Sequence, residues 1–189
     1  MADPRIRPAQ PEDVPAIVGL VHELALYEKL PEECHLTDAQ LHAALFAPAP
    51  ALFGHVALVP DAGGDPAPGT GGTGDSGGTV VGYALHFLNY STWEGVHGIY
   101  LEDLFVQPDH RGTGLGRALL ANLAEIADRN GYARVEWSVL DWNRPSIDFY
   151  ASLGAFPMEG WSTFRLTGDP LTRLAARSAA LSDPAAGTG

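Results

Sequence analysis

The most constraining stretch of the chain is YLEDLFVQPDHRGTGLGR, residues 100–117. Residues 100–106 read as a strand and Pro108 ends it. A glycine-rich turn then feeds an amphipathic helix carrying Leu115, Leu119, Leu120, Leu123, Ile126 and Ala127. Glycines let successive backbone N–H groups converge, and a helix N-terminus adds partial positive charge. The junction is therefore an anion site suited to a pyrophosphate. Spacing excludes two common phosphate loops. A Walker loop needs Lys and then Ser or Thr after its last glycine, whereas Gly116 is followed by Arg117 and Ala118. A GxGxxG loop would need glycine at Arg117 if it began at Gly112, or at Leu119 if it began at Gly114. The pattern that fits is R-x-x-G-x-G on Arg111, Gly114 and Gly116.

Charge removes other partners. The chain has 189 residues, 23 acids against 11 bases, and a formal net charge of −12. With Lys29 as its one lysine it cannot build the basic face that nucleic acid requires, so no nucleic-acid partner is expected. Cys34 is the only cysteine, which excludes an intrachain disulfide and a thiolate zinc cluster. The 7 histidines are scattered without HExxH spacing, so no metal is expected. No run approaches the roughly 18 apolar residues of a membrane span, and no apolar leader follows Met1. The expectation is a cytoplasmic protein with no membrane partner.

With 46% hydrophobic residues the chain can bury a core, and its length suits one domain. That domain is expected over 1–177, with 178–189 a disordered tail. Residues 61–79, DAGGDPAPGTGGTGDSGGT, are expected to be a flexible insertion within a hairpin. Apolar residues recur at helical spacing after Pro11, and Thr37 with Gln40 forms a capping box before a second short helix. Strands are expected at 53–59, 80–90, 99–106, 134–140 and 161–166, with helices from about 114 to 131 and at 143–153. Two early helices, several strands and an alternating end predict an α/β sandwich (α+β) in which helices flank a mixed, mostly antiparallel central sheet.

The R-x-x-G-x-G loop resembles the pyrophosphate loop of the GNAT superfamily of N-acetyltransferases, which bind acetyl-CoA. Downstream, VLDWNRPSIDFYASLGA at 139–155 resembles that superfamily's second half, where a helix presents a tyrosine to the CoA sulfur. LALYEK at 24–29, YSTW at 90–93, YLED at 100–103, VLDWN at 139–143 and EGW at 159–161 narrow the resemblance to the diamine acetyltransferase branch. That branch includes spermidine/spermine N1-acetyltransferases and thialysine N-epsilon-acetyltransferases. Ser91 and Thr92 stand where the polyamine enzymes usually carry Asp-Pro, which favours the thialysine side.

The resemblance implies acetyl-CoA as co-substrate, a small cationic amine as acceptor and a homodimer. Glu102 becomes the candidate base, directly or through a water, and Tyr150 the acid for the CoA thiolate. Asp103 faces away from Glu102 on a regular strand and could share its role only across a bulge. The CoA-binding residues implied are Leu104, Phe105, Val106, Arg111, Gly112, Thr113, Gly114, Leu115, Gly116, Arg117, Asn143, Pro145, Ser146 and Tyr150. Tyr27, Glu28, Ser91, Trp93, Glu102, Glu159 and Trp161 would line the amine site, where carboxylates and aromatic faces attract an ammonium. Trp137 and Trp142 are expected in the core. The alternatives are a polyamine acetyltransferase and a non-catalytic acyl-CoA-binding module.

Overall fold

The computed structural model describes residues 3–60 and 78–181. The chain divides into two compact units, Met1–Ser138 and Val139–Gly189.

The first unit holds β1 (Ile6–Pro8), α1 (Val14–Tyr27), α2 (Asp38–Phe46), β2 (Phe53–Val59), β3 (Thr79–Ser91), β4 (Val96–Val106), α3 (Leu115–Asn130) and β5 (Val135–Glu136). The strands lie in sequence order in one sheet. β1 to β4 pair antiparallel, and β5 runs parallel to β4. This is the mixed, mostly antiparallel sheet expected. Val59 pairs with Thr79, so the insertion joins the two strands of a hairpin, although residues 61–77 themselves lie outside the described residues.

Local signals set the helix ends. The Thr37 N–H donates to Gln40 Oε1 at 2.9 Å, and the Gln40 N–H returns to Thr37 Oγ1 at 3.3 Å. At the end of α1, the N–H of Leu30 reaches the carbonyl of Ala25 and that of Lys29 reaches Leu26. This closing turn places Lys29 at φ 65°, a conformation usually left to glycine, and it sets the direction in which Tyr27 and Glu28 leave the helix.

Val14, Ile17 and Val18 of α1 and Leu41 and Leu45 of α2 pack against Val56, Tyr83, Leu85 and Phe105 of the sheet. Fully burying each such aliphatic side chain stabilises the fold by about 1.5–3 kcal/mol. α3 contacts β2, β3 and β4 without joining this cluster, so it covers the opposite face with Leu115, Leu119 and Leu123. β5 is shorter than the strand expected over 134–140, because only Ile99 and Tyr100 of β4 pair with it.

In the second unit, Asn143 caps α4 (Arg144–Ser152) by accepting from the Ser146 N–H at 3.3 Å. A further helix, α5 (Gly168–Leu181), adds to the expected elements and extends through 178–181 of the expected tail. Residues 161–166 form no strand, since no neighbour hydrogen-bonds to them among the described residues, and a lone strand does not persist. Trp142 is 48% exposed, which overturns its assignment to the core.

Candidate active site

Strand β4 carries the chemistry because it is irregular. Leu85 pairs with Asp103 and the next residue, His86, pairs with Leu101, so Glu102 is an extra residue on β4. Paired residues share a face, and faces alternate along a strand. Tyr100, opposite Phe87, and Asp103, opposite Leu85, therefore point to the same face, with Glu102 in phase with Tyr100. The bulge that a shared role requires is present, and it turns both carboxylates towards the α1 side.

Their surroundings raise the proton affinity of one of them. Burial pushes the Asp103 carboxyl from 3.8 up to about 6, and the negative charges of Glu102 and Glu28 push the same way. Glu28, directly after α1, is itself raised by burial. The end of α1 and the bulge thus combine three carboxylates, an arrangement that attracts a cation and can accept its proton. Tyr83, buried on this face, has no hydrogen-bond partner for its hydroxyl among the described residues. Its ionisation is suppressed first by burial and then by Asp103, Cys34 and Glu28.

The anion loop follows β4. Gly112 and Gly114 sit at φ 76° and 87°, and Gly114 caps α3 without a side chain. Among the described residues, a Cβ at Gly112 would meet nothing within 4 Å, and one at Gly114 only the Arg5 Nη2, at 3.8 Å. The glycines are therefore required by backbone conformation, and the space above them is open. Among the described residues the N–H groups of Gly112 and Thr113 have no backbone acceptor, and those of Leu115 and Gly116 begin the helix. Open space, aligned N–H groups and a 16-residue helix behind them fit a pyrophosphate.

Arg5, a residue no local motif indicated, fixes the loop. Its Nη1 donates to the Thr113 carbonyl at 3.1 Å, and its Nη2 bridges to Asp3 at 2.7 Å. Hydrogen bonds from Arg5 hold Asp3 down at about 2. Because the peptide is planar and trans, fixing the Thr113 carbonyl also aims the Gly114 N–H to the opposite side. Arg111 donates from Nε to the Val106 carbonyl at 2.9 Å. Among the described residues, strand pairing on the outer edge of β4 stops at Tyr100, so beyond it the Leu104 and Phe105 stretch offers backbone groups to an extended ligand.

Not every candidate converges. Ser91 and Trp93 lie at the tip of the β3–β4 hairpin, about 20 Å along β4 from Glu102 at the usual rise per residue. Ser91 Oγ accepts from the Glu94 N–H at 3.1 Å, which makes it a turn residue, and Trp93 is 89% exposed. Asn143, Pro145, Ser146 and Tyr150 belong to α4 and its cap, Glu159 to a turn after it and Trp161 to the irregular segment that follows, all in the second unit.

The sequence pattern of the Acetyltransferase (GNAT) family matches residues 32–155. A thialysine N-epsilon-acetyltransferase of Bos taurus is 38% identical over 94% of this chain and 100% of its own length. An L-ornithine N5-acetyltransferase of Arabidopsis thaliana is 33% identical, covering 88% of this chain and 86% of its own. Among solved structures, an integron cassette protein from the mobile metagenome of V. cholerae superposes with a TM-score of 0.68 at 24% identity. It covers 90% of this chain and 96% of its own, and supports the fold alone. The chain belongs to the GNAT acetyltransferase family. It is an N-acetyltransferase, and enzymes of this family use acetyl-CoA.

Proposed function

We propose that this enzyme acetylates the primary amine of a small cationic amino acid, of the thialysine, lysine or ornithine type, with polyamines as poorer acceptors. The observation that carries the reading is the set of three carboxylates, Glu28, Glu102 and Asp103, one of which titrates at about 6. A lysine-like ammonium, with a pKa near 10.4, must lose its proton before it can attack a thioester. A carboxylate near 6 accepts that proton better at neutral pH than an ordinary one. Such tuning also argues against a non-catalytic acyl-CoA-binding module.

Glu102 and Asp103 share the proton-accepting role, directly or through a water, while Glu28 and Tyr27 hold the ammonium. Acetyl-CoA supplies the thioester. The loop at 111–117 holds its pyrophosphate, and the 104–106 stretch, Asn143, Pro145 and Ser146 bind the rest of the cofactor. Tyr150 donates to the departing thiolate. Glu159 and Trp161 complete the amine site in this proposal. Ser91 shapes selectivity only indirectly, through the hairpin turn that presents Trp93.

Mass spectrometry of products from acetyl-CoA and a panel of thialysine, lysine, ornithine and spermidine tests the substrate class. The expected result is a higher kcat/KM for the amino acids. Spermidine as the best acceptor would transfer the assignment to the polyamine group, and the absence of any acetylated amine would defeat the reading. Tyr150→Phe should lower kcat about tenfold or more with acetyl-CoA affinity within twofold, because only a proton donor is lost. Unchanged kcat would remove Tyr150 from the chemistry.

The proposed assembly is a cytoplasmic homodimer, each copy a single domain over 1–177 whose last helix carries on to Leu181. The family match runs continuously across both compact units, which supports the single domain. Trp161 at 72% and Phe164 at 95% exposure supply apolar surface that a second copy would cover.

A further inference from the structure

The arginine that opens the anion loop faces two ways. Its Nε is bonded to the Val106 carbonyl, which fixes the guanidinium at the end of β4. Its Cζ lies 5.2 Å from the ring centroid of Tyr27 and 5.4 Å from that of Phe105, so the cation is held by the last residue of α1 and by β4 together. Its terminal Nη1 and Nη2 groups make no hydrogen bond among the described residues and remain available to an anion. Tyr27 precedes Glu28, whose charge reaches Asp103, and Phe105 lies two positions beyond Asp103 on the same strand face. One side chain therefore contacts the supports of the carboxylate group while its free donors belong to the anion loop.

We infer that Arg111 is a positioning residue coupling the two binding events. An anionic cofactor bound at Nη1 and Nη2 locks the guanidinium in this stacked position, the locked guanidinium holds the Tyr27 ring, and Tyr27 sets Glu28 for the ammonium. The amine then binds the cofactor-loaded enzyme more tightly than the empty one. By linkage, the cofactor is tightened by the amine by the same factor. This inference rests on the amine and cofactor sites proposed above.

Calorimetry on the full chain tests it with CoA, which permits no turnover, and with thialysine and spermidine as amine probes. In the unaltered enzyme, saturating CoA should lower the Kd of at least one amine about fivefold or more, within the usual range of coupling. Arg111→Lys keeps the charge but loses the planar stack and the Nε–H donor. It should bring the ratio to about one and raise the amine KM by a similar factor at nearly constant kcat. Tyr27→Leu removes one of the two rings against Arg111 but keeps its Nε bond to the Val106 carbonyl and its contact with Phe105, and should abolish coupling while the Kd of CoA alone stays within twofold. This second variant decides the question if Arg111→Lys does not fold.

Equal amine affinity with and without CoA in the unaltered enzyme would overturn the inference. Coupling preserved in Tyr27→Leu, or failure of both amines to bind at all, would do the same. The proposed activity fails by a different sign, the absence of acetylated product from the amine panel.

Discussion

Asp103→Asn should lower kcat roughly 100-fold or more at pH 7, the range expected when a positioned proton acceptor is lost. It should also remove the limb of the pH–rate profile that rises through about 6, the value to which burial and its carboxylate neighbours raise Asp103. Glu102→Gln should behave differently. It removes one of the like charges, so the limb should persist and move to lower pH, with a smaller loss of rate at pH 7 than in Asp103→Asn. A limb that vanishes in Glu102→Gln and persists in Asp103→Asn would assign the proton to Glu102 alone.

Stability should move against activity. A carboxyl with a higher pKa folded than unfolded binds more protons in the folded state between 3.8 and about 6. Its contribution to stability therefore declines as pH rises through that window, by up to about 3 kcal/mol. Asp103→Asn removes the ionisation and should be the more stable protein at pH 7 and the less active one. Denaturant unfolding at pH 4 and pH 7 measures this. A difference between the two proteins that is independent of pH would refute the raised pKa.

This carboxylate pair also marks how far the sequence could be read. The glycine loop, the capping box at Thr37 and the Asn143 cap before α4 are legible because turn and cap chemistry is local. The bulge at Glu102 is not local. It arises from the pairing of Leu85 and His86 with Asp103 and Leu101, and nothing in YLED distinguishes a bulged strand from a regular one. The role of Arg5 is not legible for the same reason, since its bond to the Thr113 carbonyl spans 108 positions. The sequence reads as a strand at 161–166, but a strand exists only where another chain segment receives its hydrogen bonds, and the described residues supply none. Family resemblance identified Glu28 and Tyr27, while the geometry adds what Tyr27 touches. Ser91 and Trp93 came from resemblance as well, and the hairpin separates them from the carboxylates of the same chain.

Gly114→Val should abolish the rise in melting temperature that CoA gives the unaltered enzyme. Binding to the native state alone at 100 times Kd stabilises by about 2.7 kcal/mol, which corresponds to about 5–10 °C in a chain of this size. At φ 87° a β-branched residue is strained, and even an ordinary side chain in the left-handed region costs about 1–2 kcal/mol. The chain would relieve that strain by turning the 113–114 peptide, which breaks the bond from Arg5 to the Thr113 carbonyl and turns the Gly114 N–H away from the anion. Gly114→Asn separates conformation from space. Asparagine tolerates the left-handed region, and the nearest atom to a Cβ there is 3.8 Å away. It should therefore retain most of the CoA shift. If Asn and Val lose the shift alike, the open volume above the loop matters more than its backbone conformation. A Val variant that keeps the full shift would exclude the loop from cofactor binding.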